Sequence, residues 1–94
     1  MCVEETIPTP RLSFAAKLLH RTMLRSKRRI DQYNAIPYEE FWNDLFNDEV
    51  AMDIWACIVN STDKVKINNA IGMATQELVV ADKLAIADKW LILT

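Results

Sequence analysis

Glu40 and Asp44 stand four residues apart, with Glu39 beside them. On a helix that spacing brings two carboxylates onto one face, where they could hold a hard cation such as Mg²⁺ or share the work of acid and base. Nothing at metal-ligand spacing completes such a site, so a solvated acidic face is expected. His20 is the only histidine in the chain, and no acid lies at helical spacing to orient it as a base. It reads as a partly exposed helix histidine. Cys2 and Cys57 form no CxxC pair, which argues against a disulfide framework or a zinc site. Cys57 lies in the most apolar segment and reads as a small core hydrophobe. There is no HExxH, no GxSxG and no glycine-rich phosphate loop. The expectation is a non-enzymatic protein with no catalytic residue, metal or cofactor.

The strongest feature is charge. Arg21, Arg25, Lys27, Arg28 and Arg29 fall within nine positions, whereas Asp31 to Asp63 carries eight acids and no Lys or Arg. At about 100° per residue, Lys17, Arg21, Arg25 and Arg28 share one arc of a first helix, flanked by Arg11 and Arg29. Phe14 and Leu18 project into the same arc. A face about 16 Å long could touch several phosphates. Against a dedicated nucleic-acid-binding domain stand the net charge of −2, the pI of about 5.3 and the lack of any recognition-helix, RRM or zinc-finger signature. Segment charges run +5 for residues 1–30, −8 for 31–63 and +1 for 64–94. The simplest use of that polarity is mutual, with an acidic second helix near the basic first helix of the same or another copy. Asp31 is expected to pair with Lys27 or Arg28. The partner-binding set is therefore Lys17, Arg21, Arg25, Arg28 and Arg29 on one side and Glu39, Glu40 and Asp44 on the other.

These residues need elements to position them. The 94 residues suit one domain, and one Gly with three Pro leaves few turn-formers for an all-β fold. Thr9-Pro10 resembles a helix start, with residues 1–9 a disordered tail. From there Leu12, Ala15, Ala16, Leu19, Met23, Ile30 and Tyr33 form one apolar stripe, ended by the approach to Pro37. Pro37 opens a second helix that presents Tyr38, Phe41, Trp42, Leu45 and Phe46 on one side and breaks near Asn47–Asp48. The third helix, Glu49–Asn60, is apolar nearly all round and belongs at the centre of a bundle. Asn60-Ser61-Thr62-Asp63 is a turn and cap. After it, Ile67, Ile71, Ala74, Leu78, Ala81, Ala85 and Ile92 keep one helical phase, so residues 63–92 form one long helix or two broken near Gly72. The expected fold is an all-α bundle of three to five helices.

The longest uncharged apolar run, Ile54–Val59, is far short of the roughly 20 residues that cross a bilayer. Residues 1–10 carry no basic region of a secretory signal. A cytoplasmic protein without a membrane partner is expected. Trp90-Leu91-Ile92-Leu93 is more apolar surface than so small a bundle covers. Val80, Leu84, Trp90 and Leu91 are accordingly the expected interface of a homodimer. The function class that fits is a small interaction protein, a regulator, inhibitor or adaptor of the kind carried by phages and mobile elements. It would bind another protein through charged helix faces. The alternative is a nucleic-acid-binding protein that uses the basic face of the first helix.

Overall fold

The computed structural model describes residues 12–94. The expected cap at Thr9-Pro10 and the expected tail over 1–9 lie outside the described residues. Among these residues the chain forms four helices, α1 (Phe14–Leu24), α2 (Tyr38–Phe46), α3 (Glu49–Val59) and α4 (Lys64–Val80), and three short strands, β1 (Ala35–Pro37) between α1 and α2, and β2 (Leu84–Ala87) and β3 (Trp90–Leu93) after α4. The chain is thus mostly helical but not all-α, because the strands form a three-stranded antiparallel sheet in the order β1-β3-β2.

Ser13 begins α1. Its hydroxyl accepts the Ala16 N–H at 3.2 Å, and its own N–H and hydroxyl donate to the Glu77 carboxylate at 3.0 and 2.7 Å. One residue therefore caps α1 and ties it to the last turns of α4. The helix stops at Leu24, well before the Tyr33 expected from periodicity. Ser26 is where the register is lost: its hydroxyl accepts the Arg28 N–H, and its carbonyl accepts the Arg29 N–H. Such local bonds offer the backbone an alternative to the helix. Ile30 then bridges to Ala35. Ile30 and Tyr33, expected in the core stripe, are exposed.

The starts of α2, α3 and α4 fall where the caps indicate. Pro37 precedes α2, the Asp48 side chain accepts the Ala51 N–H, and the Asp63 side chain accepts the Val65 N–H. Gly72 neither ends nor breaks α4, which runs through it for 17 residues. The helix ends instead at a Schellman motif: Asp82 takes φ 59°, and the Asp82 and Lys83 N–H groups donate to the carbonyls of Val79 and Leu78. Beyond this cap the chain forms a hairpin in place of the expected helix. Asp88, at φ 56°, opens the two-residue turn between β2 and β3.

The central strand β3 is bracketed at both ends. The Leu93 N–H donates to the Asn34 carbonyl, and Asn34 Nδ2 donates to the Leu93 carbonyl; at the other end the Tyr38 N–H donates to the Lys89 carbonyl. Register pairs Ile36 with Leu91 and Leu84 with Leu93, and these four side chains are buried on the inner face. They join Ala16, Leu19 and Met23 of α1, Phe41 and Leu45 of α2, Trp55 of α3 and the Ile67, Ile71, Ala74, Leu78 stripe of α4 in one core. Leu84 and Leu91 are therefore core residues and cannot form the expected dimer interface, whereas Val80 and Trp90 of that set are exposed. Only Trp55 of α3 is fully buried. This helix lies at the edge of the core and not at its centre, and Cys57 on it is exposed rather than buried.

A methyl group built on Gly72 meets nothing within 4 Å, and no glycine has a positive φ. Gly72→Ala is expected to raise stability by about 0.5–1 kcal/mol through backbone entropy alone, read as a higher urea midpoint at unchanged slope. Asp88→Val, which places a β-branched residue at positive φ, should lower stability by about 1–2 kcal/mol, while Asp88→Gly should not.

Candidate functional site

Breaking the first helix at Leu24 divides the basic set. Lys17 and Arg21 stand on α1, and Arg25 is its C-cap. At helical spacing these three share the solvent side of α1 with Phe14, which is 69% exposed. They make no ion pair among the described residues. Arg28 and Arg29 lie beyond the helix and are engaged by the chain itself. Arg28 Nε contacts Asp44 Oδ2 at 2.5 Å, linking the 25–34 connection to α2. Arg29 donates to Asn34 Oδ1 at 2.7 Å and to Asp31 Oδ1 at 2.9 Å. Asp31 thus pairs with Arg29, not with Lys27 or Arg28. By holding Asn34, Arg29 supports the residue that brackets β3.

The opposite-charge contact expected between the two blocks exists as the Arg28–Asp44 pair. Its hydrogen bond holds the Asp44 carboxyl below its ordinary value and raises Arg28. Both side chains are half exposed, so solvent screens the pair and it orients α2 more than it stabilises it. Glu39 and Glu40 are exposed, on α2. Of the eight expected partner-binding residues, five therefore keep their charge directed at solvent: Lys17, Arg21 and Arg25 on α1, and Glu39 and Glu40 on α2.

A second feature, not visible in the spacing of charges, is a groove beside α4. Tyr38, Trp42 and Phe46 recur every four residues along α2 and build an aromatic wall, with ring centroids 5.9 Å apart for Tyr38–Trp42 and 6.3 Å for Trp42–Phe46. Across from this wall stand Asn68, Gly72 and Thr75 of α4, flanking a shallow, open hollow of about 430 Å³. An adjoining hollow of about 460 Å³ continues past Phe46 and Asn68 between Met52, Asp53 and Ala56 of α3 and Lys64 and Ile67 of α4. Gly72 opens the wall by contributing no side chain. Apart from those periodic aromatics, only the isolated Gly72 hints at this site in the sequence.

His20 lies half-buried on α1 with its Nε2 unpartnered among the described residues. Burial, and secondarily the charge of Lys83, push its pKa below the ordinary 6.5. Among the described residues no group of three or more His, Cys, Asp or Glu could hold a metal ion, and no helix is long and apolar enough to cross a membrane. Comparison with protein-family models, with curated proteins and with solved structures finds no match to this chain.

Three lowered pKa values set the pH dependence. Folding favours neutral His20, so its contribution is complete above 6.5 and is lost as pH falls below that value, where the unfolded chain takes up the proton first. Glu77, held down by the Ser13 hydroxyl and N–H, and Asp44 add a second loss as pH falls below the ordinary carboxylate range. Thermal midpoints measured against pH should therefore decline in two stages. His20→Leu should remove the upper stage and leave the lower one in place.

Proposed function

We propose that this chain is a non-enzymatic interaction protein that acts by binding a partner protein, as a small inhibitor or adaptor does. The observation that carries this reading is the groove that the chain's own elements leave unfilled between α2, α3 and α4. Concave, aromatic-lined surfaces with a few polar groups at the rim are where ligands and partner segments bind. The charge polarity supports it as well. Cationic Lys17, Arg21 and Arg25 and anionic Glu39 and Glu40 present opposite signs on separate helices, which steers encounter and orients a partner more than it adds affinity.

A nucleic-acid reading is the alternative. It is favoured by Lys17, Arg21 and Arg25, which make no ion pair among the described residues, with exposed Phe14 among them, a combination of phosphate contact and base stacking. Lys27, also exposed, would make a fourth cation.

Affinity capture on the immobilised full chain, from the cells that encode it, separates the two. Four phosphate contacts would give a salt slope near −3.6, a loss of roughly a hundredfold between 50 and 200 mM salt. A protein held by apolar contacts is expected to stay bound across that range. Arg21→Glu with Arg25→Glu should slow the association of such a protein while leaving helical circular dichroism unchanged. Capture of nucleic acid alone, released steeply by salt, would overturn the protein reading in favour of the alternative.

A further inference from the structure

We infer that the groove seats a cationic amphipathic helix of the partner, about three turns long. The inference rests on the reading of this chain as an interaction protein and specifies the partner's chemistry. The groove's length sets the size of the occupant. On α4 it runs from Lys64 to Thr75, which at 1.5 Å per residue is about 16 Å, or three turns. An extended strand is a poorer fit, because the walls are helices whose backbone groups are already bonded and offer no ladder to extend.

The groove's shape sets the spacing of the occupant's side chains. The floor is apolar, with Ile67 and Ile71 buried at its base. Trp42 and Phe46 form one wall, and the side-chain gap at Gly72 opens the other. Apolar residues recurring at i, i+3, i+4 and i+7 would fill such a slot, with one large side chain entering over Gly72.

Charge selects the sign. Asp53 lines the groove, and Glu49, one turn earlier, lies on the same side of α3. Glu39 precedes Asn43 on the flank of α2 next to the aromatic wall. No Lys or Arg occurs between Ile30 and Asp63, and Lys64 is the one cation among the described residues that line the groove. A helix with basic residues beside its apolar stripe meets Asp53 in the groove and, around it, two helices, α2 and α3, that carry acids and no Lys or Arg, whereas an acidic helix meets like charge.

The test uses the full chain and a labelled synthetic helix of about 18 residues, long enough to be helical on binding. Its Leu residues stand at i, i+3, i+4 and i+7 and its other positions are mainly Lys. Controls are a scrambled peptide of the same composition and a striped peptide with Glu in place of Lys. Fluorescence anisotropy should show the basic striped peptide binding at least tenfold more tightly than either control. Gly72→Leu, which projects a side chain into the open groove, should weaken it at least tenfold, and Asp53→Lys with Glu49→Lys should weaken it further. Lys66→Gln, exposed on α4 and not among the residues lining the groove, should leave it unchanged. If Gly72→Leu fails to fold, amide chemical-shift changes in the parent protein replace it, and these should centre on Asn68, Gly72 and Thr75. Equal binding of the scrambled peptide, an unaffected Gly72→Leu variant, or shifts centred elsewhere would each overturn the inference. A protein captured by the full chain whose binding is insensitive to Gly72→Leu would overturn the groove assignment alone. Absence of any captured protein would remove the broader reading with it.

Discussion

Ile67, Ile71, Ala74 and Leu78 recur along α4 at spacings of three and four, and the other elements take their places from what they pack against that stripe. α1, α3 and β2 each lie directly on α4. The inner face of the sheet completes the same core through Ile36, Leu84, Leu91 and Leu93. Burying a large apolar side chain is worth about 1.5–3 kcal/mol, so these contacts outweigh the Arg28–Asp44 and Arg29–Asp31 ion pairs by a wide margin. The stripe works only because α4 continues through Gly72, where a helix interior gives up about 0.5–1 kcal/mol relative to Ala.

The same geometry leaves the groove. α1, α3 and β2 pack onto the buried stripe of α4, but α2 reaches that helix only loosely, being held instead by α3 and β1. The Tyr38, Trp42, Phe46 edge of α2 therefore faces α4 across a gap. Phe41 and Leu45, on the adjoining side of the same helix, are buried in the core. One helix thus serves the fold with one stripe and the candidate interface with another. Near the other flank of α2, Arg28 holds Asp44 and fixes how α2 meets the 25–34 connection.

Local signals in the sequence are legible because they act within one turn. Pro37, Asp48 and Asp63 mark the starts of α2, α3 and α4, and the periodicity phases the α4 stripe correctly as far as Leu78. The strands escape the sequence pattern for two physical reasons. Scarcity of glycine suggests scarcity of turns, yet among the described residues those at positive φ are Asn34, Asn60, Asp82 and Asp88, the types that tolerate that conformation best after glycine. In addition, Leu84–Ala87 and Trp90–Leu93 are uninterrupted apolar runs. The period of two appears only in the burial of β3, where Leu91 and Leu93 are inside and Trp90 is 39% exposed, while β2 buries Leu84 alone, so their sequence does not distinguish them from a helix. α3 departs from its expected central place because an all-round apolar helix need not be central, and Val50 and Ile54 remain exposed. On the site, the charges of Lys17, Arg21, Arg25, Glu39 and Glu40 are readable from spacing. The internal roles of Arg28 and Arg29, and the groove itself, depend on distances between elements that no periodicity records.

Native-state amide hydrogen exchange tests the organising role of α4 most directly, since the slowest amides report the last structure to open. The expected result is strongest protection across Ile71–Leu78, without a break at Gly72, and in Leu91 and Leu93, with α2 exchanging sooner. Fast exchange on either side of Gly72, or protection concentrated in α2 and α3 with β3 unprotected, would contradict it.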